Sequence, residues 1–597
     1  MSAARTGPAF SVQDIPFSRS GAWFNISPVI AEQTYADDLH LVSHQTGMHP
    51  VLRLVPVLDG ARAETTVAAN PILLTWSVGG APRDGAGDGP GRIELVYEST
   101  DTVRLRGEGL GLRVIAAESA LTPFSGTYLY RDPVDGAHVF TVYATGRRYR
   151  ITVLAGDGAE VTGAQHLGTG ERALHLPESG GLWEIAIEEY ESGRPPYHRT
   201  ASFGQVVDAA QIEFDAFVDA VAPWRSERTP AARLAAYVLW SATVRPAGFV
   251  RRPAVLMSKH WMDKVWSWDH CFNALALADG LPTLAWDQFQ LPFDHQDQAG
   301  ALPDSVTHSE ILYNYVKPPI HGWALRRLRS QIPEPLPRTE LETAYSRLAS
   351  WTRFWLDARR APGHDLPHYH HGNDSGWDNA TTFDPERVIE SADLSAFLVL
   401  QMRTLAQLAE DLDDATAAAQ WTQAADTLCA ALLEQLWDSA RERFVARGAE
   451  SGRRRPSSSL LDLMPVVLGN ELPAEVMAAL AQRIKTHLTA FGLATEHPSS
   501  PHYQSDGYWR GPVWAPSTVL IEDGLRRGGH PDLADEISAR YRLLCETSGF
   551  AENFDAHSGA ALRDRAYTWT ASAYLILAAA YEERVRLGGT TENRTHR

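Results

Sequence analysis

The chain reads as mainly α, an (α/α)6 barrel preceded by an antiparallel β-sandwich, and three observations carry that reading. Apolar residues alternate in short runs from residue 20 to about 200. From Asp208 onward they recur at helical spacing. The loops between the later helical segments are long and rich in Trp, Asp, Gly and Pro. The length of 597 residues exceeds what one hydrophobic core serves, so two or more domains are expected.

The β region is built from short runs: Val51–Leu58, Arg92–Tyr97, Val103–Val114, His138–Tyr143, Tyr149–Leu154 and Leu182–Ile187. Gly/Asp/Pro turns such as Asp84–Gly91 and Asp132–Gly136 separate them, and evenly spaced short strands with turn signals suggest a sandwich. Ala210–Val221 and Ala231–Ala242 then read as helices. They are followed by Trp268–Ala278, His321–Ser330, Glu340–Asp357, Asp393–Asp411, Ala415–Trp437, Ala474–Leu488, Pro516–Arg527, Ala534–Glu546 and Tyr567–Arg584. Leu394, Phe397, Leu398, Met402, Leu405 and Leu408 fall on one stripe. About a dozen helices with functional loops between them fit a toroid of paired helices; periodicity alone does not separate this from an α-solenoid, although no fixed-length repeat is visible. The expected division is a β-sandwich domain over 1–207, a helical linker over 208–228 and the barrel over 229–590.

Composition narrows the function classes. Hydrophobic content of 44% and charged content of 21% are those of an ordinary soluble globular protein. A formal net charge of -19 argues against nucleic acid, which demands a basic face. Lysine occurs only at Lys259, Lys264, Lys317 and Lys485 within a Lys+Arg total of 54, a bias of genome composition more than of function. Cys271, Cys429 and Cys545 are far apart and show no metal or redox spacing, as in a reduced cytosolic protein. Residues 1–23 contain no apolar signal-peptide core and no window approaches a membrane span. A cytoplasmic location without membrane partners is expected, and nothing sets the oligomeric state.

Three loops carry the candidate chemistry. Gly376-Trp377-Asp378-Asn379 lies in a Gly/Asn/Asp-rich loop, Gly507-Tyr508-Trp509-Arg510-Gly511-Pro512-Val513-Trp514 in a second, and Glu552-Asn553-Phe554-Asp555 in a third. Two loop carboxylates beside aromatic residues are what glycoside hydrolysis needs: one protonated, to donate to the leaving oxygen, and one ionised, to activate water or attack the sugar. Sugar rings also pack on indole faces, and the chain holds 18 Trp, enough to line such a site. The run His368, His370, His371 has no Cys or HExxH partner, so it reads as a loop lining the leaving-group subsite and not as a zinc site. Asp374, Gly376 and Asp378 faintly follow the start of an EF-type loop, but Asn379 stands where glycine is needed and Pro385 where glutamate is.

Seven segments, in order over residues 260 to 580, resemble glycoside hydrolase family 63 and its bacterial relatives. They are Trp266-Ser267-Trp268-Asp269-His270-Cys271-Phe272; Gln298-Ala299-Gly300-Ala301-Leu302-Pro303-Asp304; Lys317-Pro318-Pro319 with Gly322-Trp323; Ser375-Gly376-Trp377-Asp378; Tyr508-Trp509-Arg510-Gly511-Pro512-Val513-Trp514; Glu552-Asn553-Phe554-Asp555 with Ser558-Gly559; and Tyr567-Thr568-Trp569-Thr570-Ala571. Ala515-Pro516-Ser517 departs from the eukaryotic oligosaccharide-processing members, and the trehalase signature is absent. The resemblance implies an inverting, exo-acting α-glycosidase without cofactor, acting on a short α-linked glucoside or mannoside of oligosaccharide or glycosyl-glycerate type. Asp378 would be the general acid and Glu552 the general base, roughly 6.5–9.5 Å apart. Trp268 and Asp269 would line the sugar; Gln298, Trp377, Arg510, Trp514 and Trp569 are further substrate-binding candidates. Arg510 could equally sit in a structural ion pair, and the indoles could be core. The alternatives are an (α/α)6 phosphorylase, for which only Arg563 and Arg565 stand near the base, and a non-catalytic carbohydrate-binding protein.

Overall fold

The computed structural model describes residues 7–79, 91–164, 167–178 and 181–592. Two large antiparallel sheets fill the N-terminal third. One runs in the order Phe24–Ala31, Thr34–Ser43, His49–Leu58, Gly111–Ala116, Ala173–Leu176 and Glu160–Thr162, with Ala61–Arg62 pairing alongside. The other runs Thr127–Arg131, His138–Val142, Arg147–Ala155, Trp183–Tyr190, Thr102–Glu108, Arg92–Ser99, Leu74–Ser77 and Thr66–Ala69. Leu52, Leu54 and Val114 of the first sheet share one core with Leu95, Leu105 and Ile185 of the second.

The sequence reads Val103–Val114 as one run. In the structure Gly109, at φ 67°, turns the chain so that its two halves enter different sheets; glycine takes that left-handed conformation without a Cβ penalty. The Asp132–Gly136 turn is present, closed by Gly136 N–H to Asp132 O at 2.8 Å. The turn at Asp84–Gly91 lies, except for Gly91, outside the described residues.

The helices are α1 (Phe203–Val221), α2 (Ala232–Ala242), α3 (Asp269–Leu277), α4 (Pro282–Gln290), α5 (His321–Gln331), α6 (Arg338–Arg353), α7 (Ala392–Asp411), α8 (Ala415–Leu436), α9 (Ala474–His487), α10 (Ala515–Arg527), α11 (Pro531–Ser548) and α12 (Thr568–Glu592). α1 begins with a reciprocal capping box between Ser202 and Gln205 and packs on strand Arg92–Ser99 and on α2. Contacts close a ring: α3 touches α5, α5 touches α7, α7 touches the segment Leu460–Glu471, that segment touches α10, α10 touches α12, and α12 returns to α3. Outside it, α2 packs on α12, α4 on α3, α6 and α8 on α7, α9 on Leu460–Glu471, and α11 on α10.

Leu460–Glu471 is not among the helices read from sequence. It is a 3-10 segment interrupted by Pro465 and a kink at Gly469. Residues 460 to 469 are all buried, and a segment buried all round has no polar face to mark a period. The run expected over Glu340–Asp357 leaves α-geometry after Arg353 and ends in a π-turn, Phe354–Ala358. Helix accounts for 37% and strand for 25%, so helix leads by less than the mainly-α expectation, because the two N-terminal sheets are large. The three cysteines are unpaired. Among the described residues no helix is long and apolar enough to cross a membrane.

Candidate active site

The Asp378 loop is held from several sides. A 3-10 turn, Gly372–Ser375, is capped by His371, whose Nδ1 accepts Asn373 N–H at 3.1 Å. Buried Asp374 accepts from Val316 N–H (3.1 Å), His370 N–H (2.9 Å) and the Arg359 guanidinium (2.7 Å). Its carboxylate is thereby consumed in building the loop. Gly376 turns at φ 71°, and a Cβ there would stand 2.6 Å from the Trp268 indole. Glycine is required for both reasons. Asn379 then ties this loop to the next: its Oδ1 accepts Trp509 N–H at 3.0 Å and its Nδ2 donates to Gly507 O at 3.0 Å.

Glu552 opens a two-stranded hairpin, Asn553–Phe554 with Ala561–Leu562. Its N–H donates to Asp564 O at 2.7 Å, and Val513 and Phe554 exchange backbone bonds of 2.7 and 3.1 Å. Trp569 Nε1 donates to Glu552 O at 3.3 Å. Indoles join the three loops. Trp509 stacks flat on Trp514 (centroids 4.1 Å apart, 5°) and lies 4.6 Å from Trp377 and 6.3 Å from Trp268, while Trp569 meets Trp268 and Trp514 edge-on at 5.7 and 5.4 Å. Trp268, Trp377, Trp514 and Trp569 are at most 4% exposed. Trp377, Trp514 and Trp569, expected as stacking platforms, are thus mainly packed wall; one face of Trp514 is covered by Trp509.

Charge is concentrated here. Asp269 begins α3 and is buried. Asp304 and Asp378 lie 3.2 and 3.9 Å from Lys317 Nζ, which also donates to Asn373 O at 3.1 Å. Burial alone would pull Lys317 down, but Asp378, Asp304 and Asp269 outweigh it and hold its pKa above the ordinary value. Burial raises Asp378, with Lys317 opposing and Asp304 adding to the rise. Burial pushes Asp269 up to about 8, opposed by Lys317. Burial also pushes Glu552 up to about 8, aided by the charge of Asp564, opposed by Arg563 and Tyr508, and raised further by Asp378. Asp378 thus adds to the rise at both Asp269 and Glu552. Three carboxyl groups, Asp269, Asp304 and Asp378, share one lysine, and buried Asp269 and Glu552, each pushed up to about 8, favour the protonated form at neutral pH. Oδ2 of Asp269 and Oε2 of Glu552 are buried with no hydrogen-bond partner among the described residues.

Two expected substrate contacts stand apart from the carboxyl group cluster. Gln298 sits exposed on the turn Asp297–Gly300, and no hydrogen bond or ring contact among the described residues joins it to the carboxyl group cluster. Its motif places it on a sharp turn whose glycine, at φ 90°, packs against Ser350. Arg510 donates to Asn379 O at 2.7 Å and pairs with Asp384 at 2.5 Å, so it is a strut between two loops. The histidines are likewise occupied locally: His368 stacks on His370 at 5.2 Å and His371 on Tyr315 at 5.2 Å. Lys317, Asp304, Tyr508, Asp564 and Tyr567 were given no role by sequence reasoning. The signal that could have found them was a lysine beside Pro318-Pro319 in a chain that supplies nearly all its cations as arginine.

Residues 262–570 match the family model described as the mannosylglycerate hydrolase MGH1-like glycoside hydrolase domain. The chain belongs to this family. It is a glycoside hydrolase, and the match spans the loops of Asp378 and Glu552 while leaving the two large sheets outside. Similar to it are a mannosylglycerate hydrolase of Rubrobacter radiotolerans, 24% identical over 399 residues covering 52% of this chain and 89% of the relative, and mannosylglycerate hydrolase MGH1 of Selaginella moellendorffii, 20% identical over 387 residues covering 51% and 78%. Among solved structures, the GH63 mannosylglycerate hydrolase of Thermus thermophilus in complex with Tris superposes at TM-score 0.52 with 21% identity, over 58% of this chain and 99% of that one. At that identity the superposition speaks for a shared fold.

Proposed function

We propose that this glycoside hydrolase is an inverting, exo-acting α-glycosidase that cleaves a glycosyl-glycerate or another short α-linked glucoside or mannoside. The observation that carries the reading is the pair of acids Asp378 and Glu552: each stands on its own loop, each is raised by burial, and the charge of one acts on the other. The substrate class comes from the mannosylglycerate hydrolases among the relatives.

In this reading Asp378 donates its proton to the glycosidic oxygen as the bond to the anomeric carbon breaks. Glu552 takes a proton from a water that attacks the same carbon from the opposite face. The products are one sugar of inverted configuration and one free alcohol; no covalent intermediate and no cofactor take part. The unpartnered Oδ2 of Asp269 suits two sugar hydroxyls, and Lys317, bound by acids on several sides, keeps the site's summed charge tolerable. We further take the closed ring of contacts as the inner ring of an (α/α)6 barrel over 229–590, with a β-sandwich domain over 1–207 and a linker at 208–228. Trp377, Trp514 and Trp569 then act as the wall that shapes the sugar pocket.

The test is early-time proton NMR on an α-mannosyl-glycerate and on α-linked disaccharides. The β-anomer is expected first. First appearance of the α-anomer, or a glycosyl ester on Glu552, overturns the mechanism.

A further inference from the structure

Asp378 presents a physical difficulty for a general acid, because a lysine stands beside it. A carboxyl group must hold a proton in order to donate it, and a positive charge a few ångströms away favours the ionised form. The groups facing Asp378 are Lys317 from the segment leading into α5, Asp304, and His371 of its own loop; Asp269 faces it from the start of α3, and Glu552 and Tyr508 from the two neighbouring loops. Lys317 is the one permanent cation of this set.

Lys317 is anchored independently of the Asp378 carboxyl group. Its neighbour Val316 donates N–H to Asp374 Oδ1 at 3.1 Å, Pro318-Pro319 stiffens the chain after it, and its Nζ donates to Asn373 O at 3.1 Å. From there Nζ lies 3.2 Å from Asp304 Oδ1 and 3.9 Å from Asp378 Oδ1. The first is a close ion pair; the second is beyond hydrogen-bond range. Asp304 is also held in place. Its N–H donates to Leu312 O at 2.8 Å, and it leads into the strand Ser305–Val306, which pairs with Val265–Trp266 on one side and Ile311–Leu312 on the other. Its buried Oδ1 has no hydrogen-bond partner among the described residues, and Lys317 is its one ion-pair partner among them. The Asp304 side chain is 10% exposed, against 28% for Asp378, so the charge of Asp304 is spent on the lysine while Asp378 keeps its access to solvent.

We propose that Asp304 is a positioning residue for the general acid: paired with Lys317 at 3.2 Å, it holds the ammonium group off the Asp378 carboxyl group and so lets that group keep the proton it donates. The inference rests on the reading of Asp378 as acid. The rise at Asp378, to which Asp304 adds and which Lys317 opposes, agrees with it.

The experiment compares kcat/KM against pH for the full chain and for Asp304→Asn, Lys317→Gln, the double variant and Asp378→Asn, on one α-mannosyl-glycerate, with thermal melting to check that each variant is folded. The limb set by Asp378 is the one that Asp378→Asn abolishes. In Asp304→Asn the released ammonium closes on Asp378, and this limb is expected to move to lower pH by about one unit, as a closer opposite charge dictates. In Lys317→Gln the cation is gone, and the limb is expected at higher pH. The double variant, which leaves neither partner of the pair buried alone, is expected between the two. A folded Asp304→Asn variant whose limb stays in place or rises, or whose activity falls equally at every pH, overturns the inference. Should that variant not fold, a double variant whose limb coincides with that of Lys317→Gln overturns it instead. If Asp378→Asn keeps its activity, the acid assignment itself fails, whatever Asp304 does.

Discussion

Asp378 and Glu552 are placed so that a proton is worth different amounts on each. Asp378 has a cation 3.9 Å away, whereas Glu552 is in no ion pair among the described residues and burial dominates its rise. In the proposed mechanism Asp378 is the proton donor, and a general acid contributes ~10²–10⁴-fold. Asp378→Asn should therefore lose about that much kcat/KM on a poor leaving group such as glycerate and far less on an activated aryl glycoside, read by steady-state kinetics on both. Glu552 also bears on stability. Its pKa is about 8 in the fold against about 4.3 in an unfolded chain. The native state therefore holds an extra proton between these values; its contribution is complete below about pH 4 and is lost as pH rises through about 8. Glu552→Gln removes that loss, so its Tm advantage over the parent should grow from about pH 5 to about pH 8. A constant difference across that range, measured by calorimetry, would contradict the buried-acid account.

At the scale of elements, the site depends on loops locked to one another. Asn379 and Arg510 join the Asp378 loop to the 507–514 loop, and the Val513–Phe554 pairing joins that loop to the Glu552 hairpin. Gly376 is the tightest point. A methyl there meets Trp268 at 2.6 Å in a left-handed turn, and overpacking of this kind costs about 1–3 kcal/mol. Gly376→Ala should lower Tm and, by displacing both Asp378 and Trp268, reduce kcat by more than Asn379→Ala does. The glycines and the Trp-rich strings were legible in the sequence because each is demanded by short-range geometry. Which partner Arg510 takes was open in the sequence, because one arginine serves a hydroxyl or a carboxylate equally well until its partner Asp384 is known. The exposure of Gln298 on its turn was likewise not legible, because no local pattern records it.

The whole molecule is joined by a buried polar seam. Asn25 and His44 come from the N-terminal sheet region, and Asn25 Nδ2 lies 2.9 Å from His44 Nε2, whose Nδ1 lies 3.1 Å from Asp263. Asn25 also donates to Lys259 O at 2.5 Å, and Lys259 Nζ reaches Ser18 Oγ at 3.1 Å and Thr243 O at 3.3 Å. The same stretch holds Ser258 and His260 on Asp564, whose carbonyl accepts the Glu552 N–H. The sheets therefore brace the segment behind Glu552. Leaving a buried partner unpaired costs ~1–3 kcal/mol, and residues in one network are not additive. His44→Ala and Asp263→Ala should each lower Tm, and the double variant should lose clearly less than their sum; additive losses in calorimetry would mean that the seam carries no coupling.

Local chemistry determined much of this protein within the sequence: the change from alternating to helical spacing near residue 208, most helix spans and the three loops. These follow from periodicity and turn chemistry, which depend on neighbours a few residues away. Tertiary structure alone decided that Leu460–Glu471 closes the helical ring, that Asp374 is spent on Arg359 while Asp304 faces Lys317, that Arg563 lies on Tyr508, and that two distant sheets stand behind Glu552. Each of these depends on which groups meet across tens or hundreds of residues, and burial of charge, which sets the proton affinities at the site, exists only once they have met.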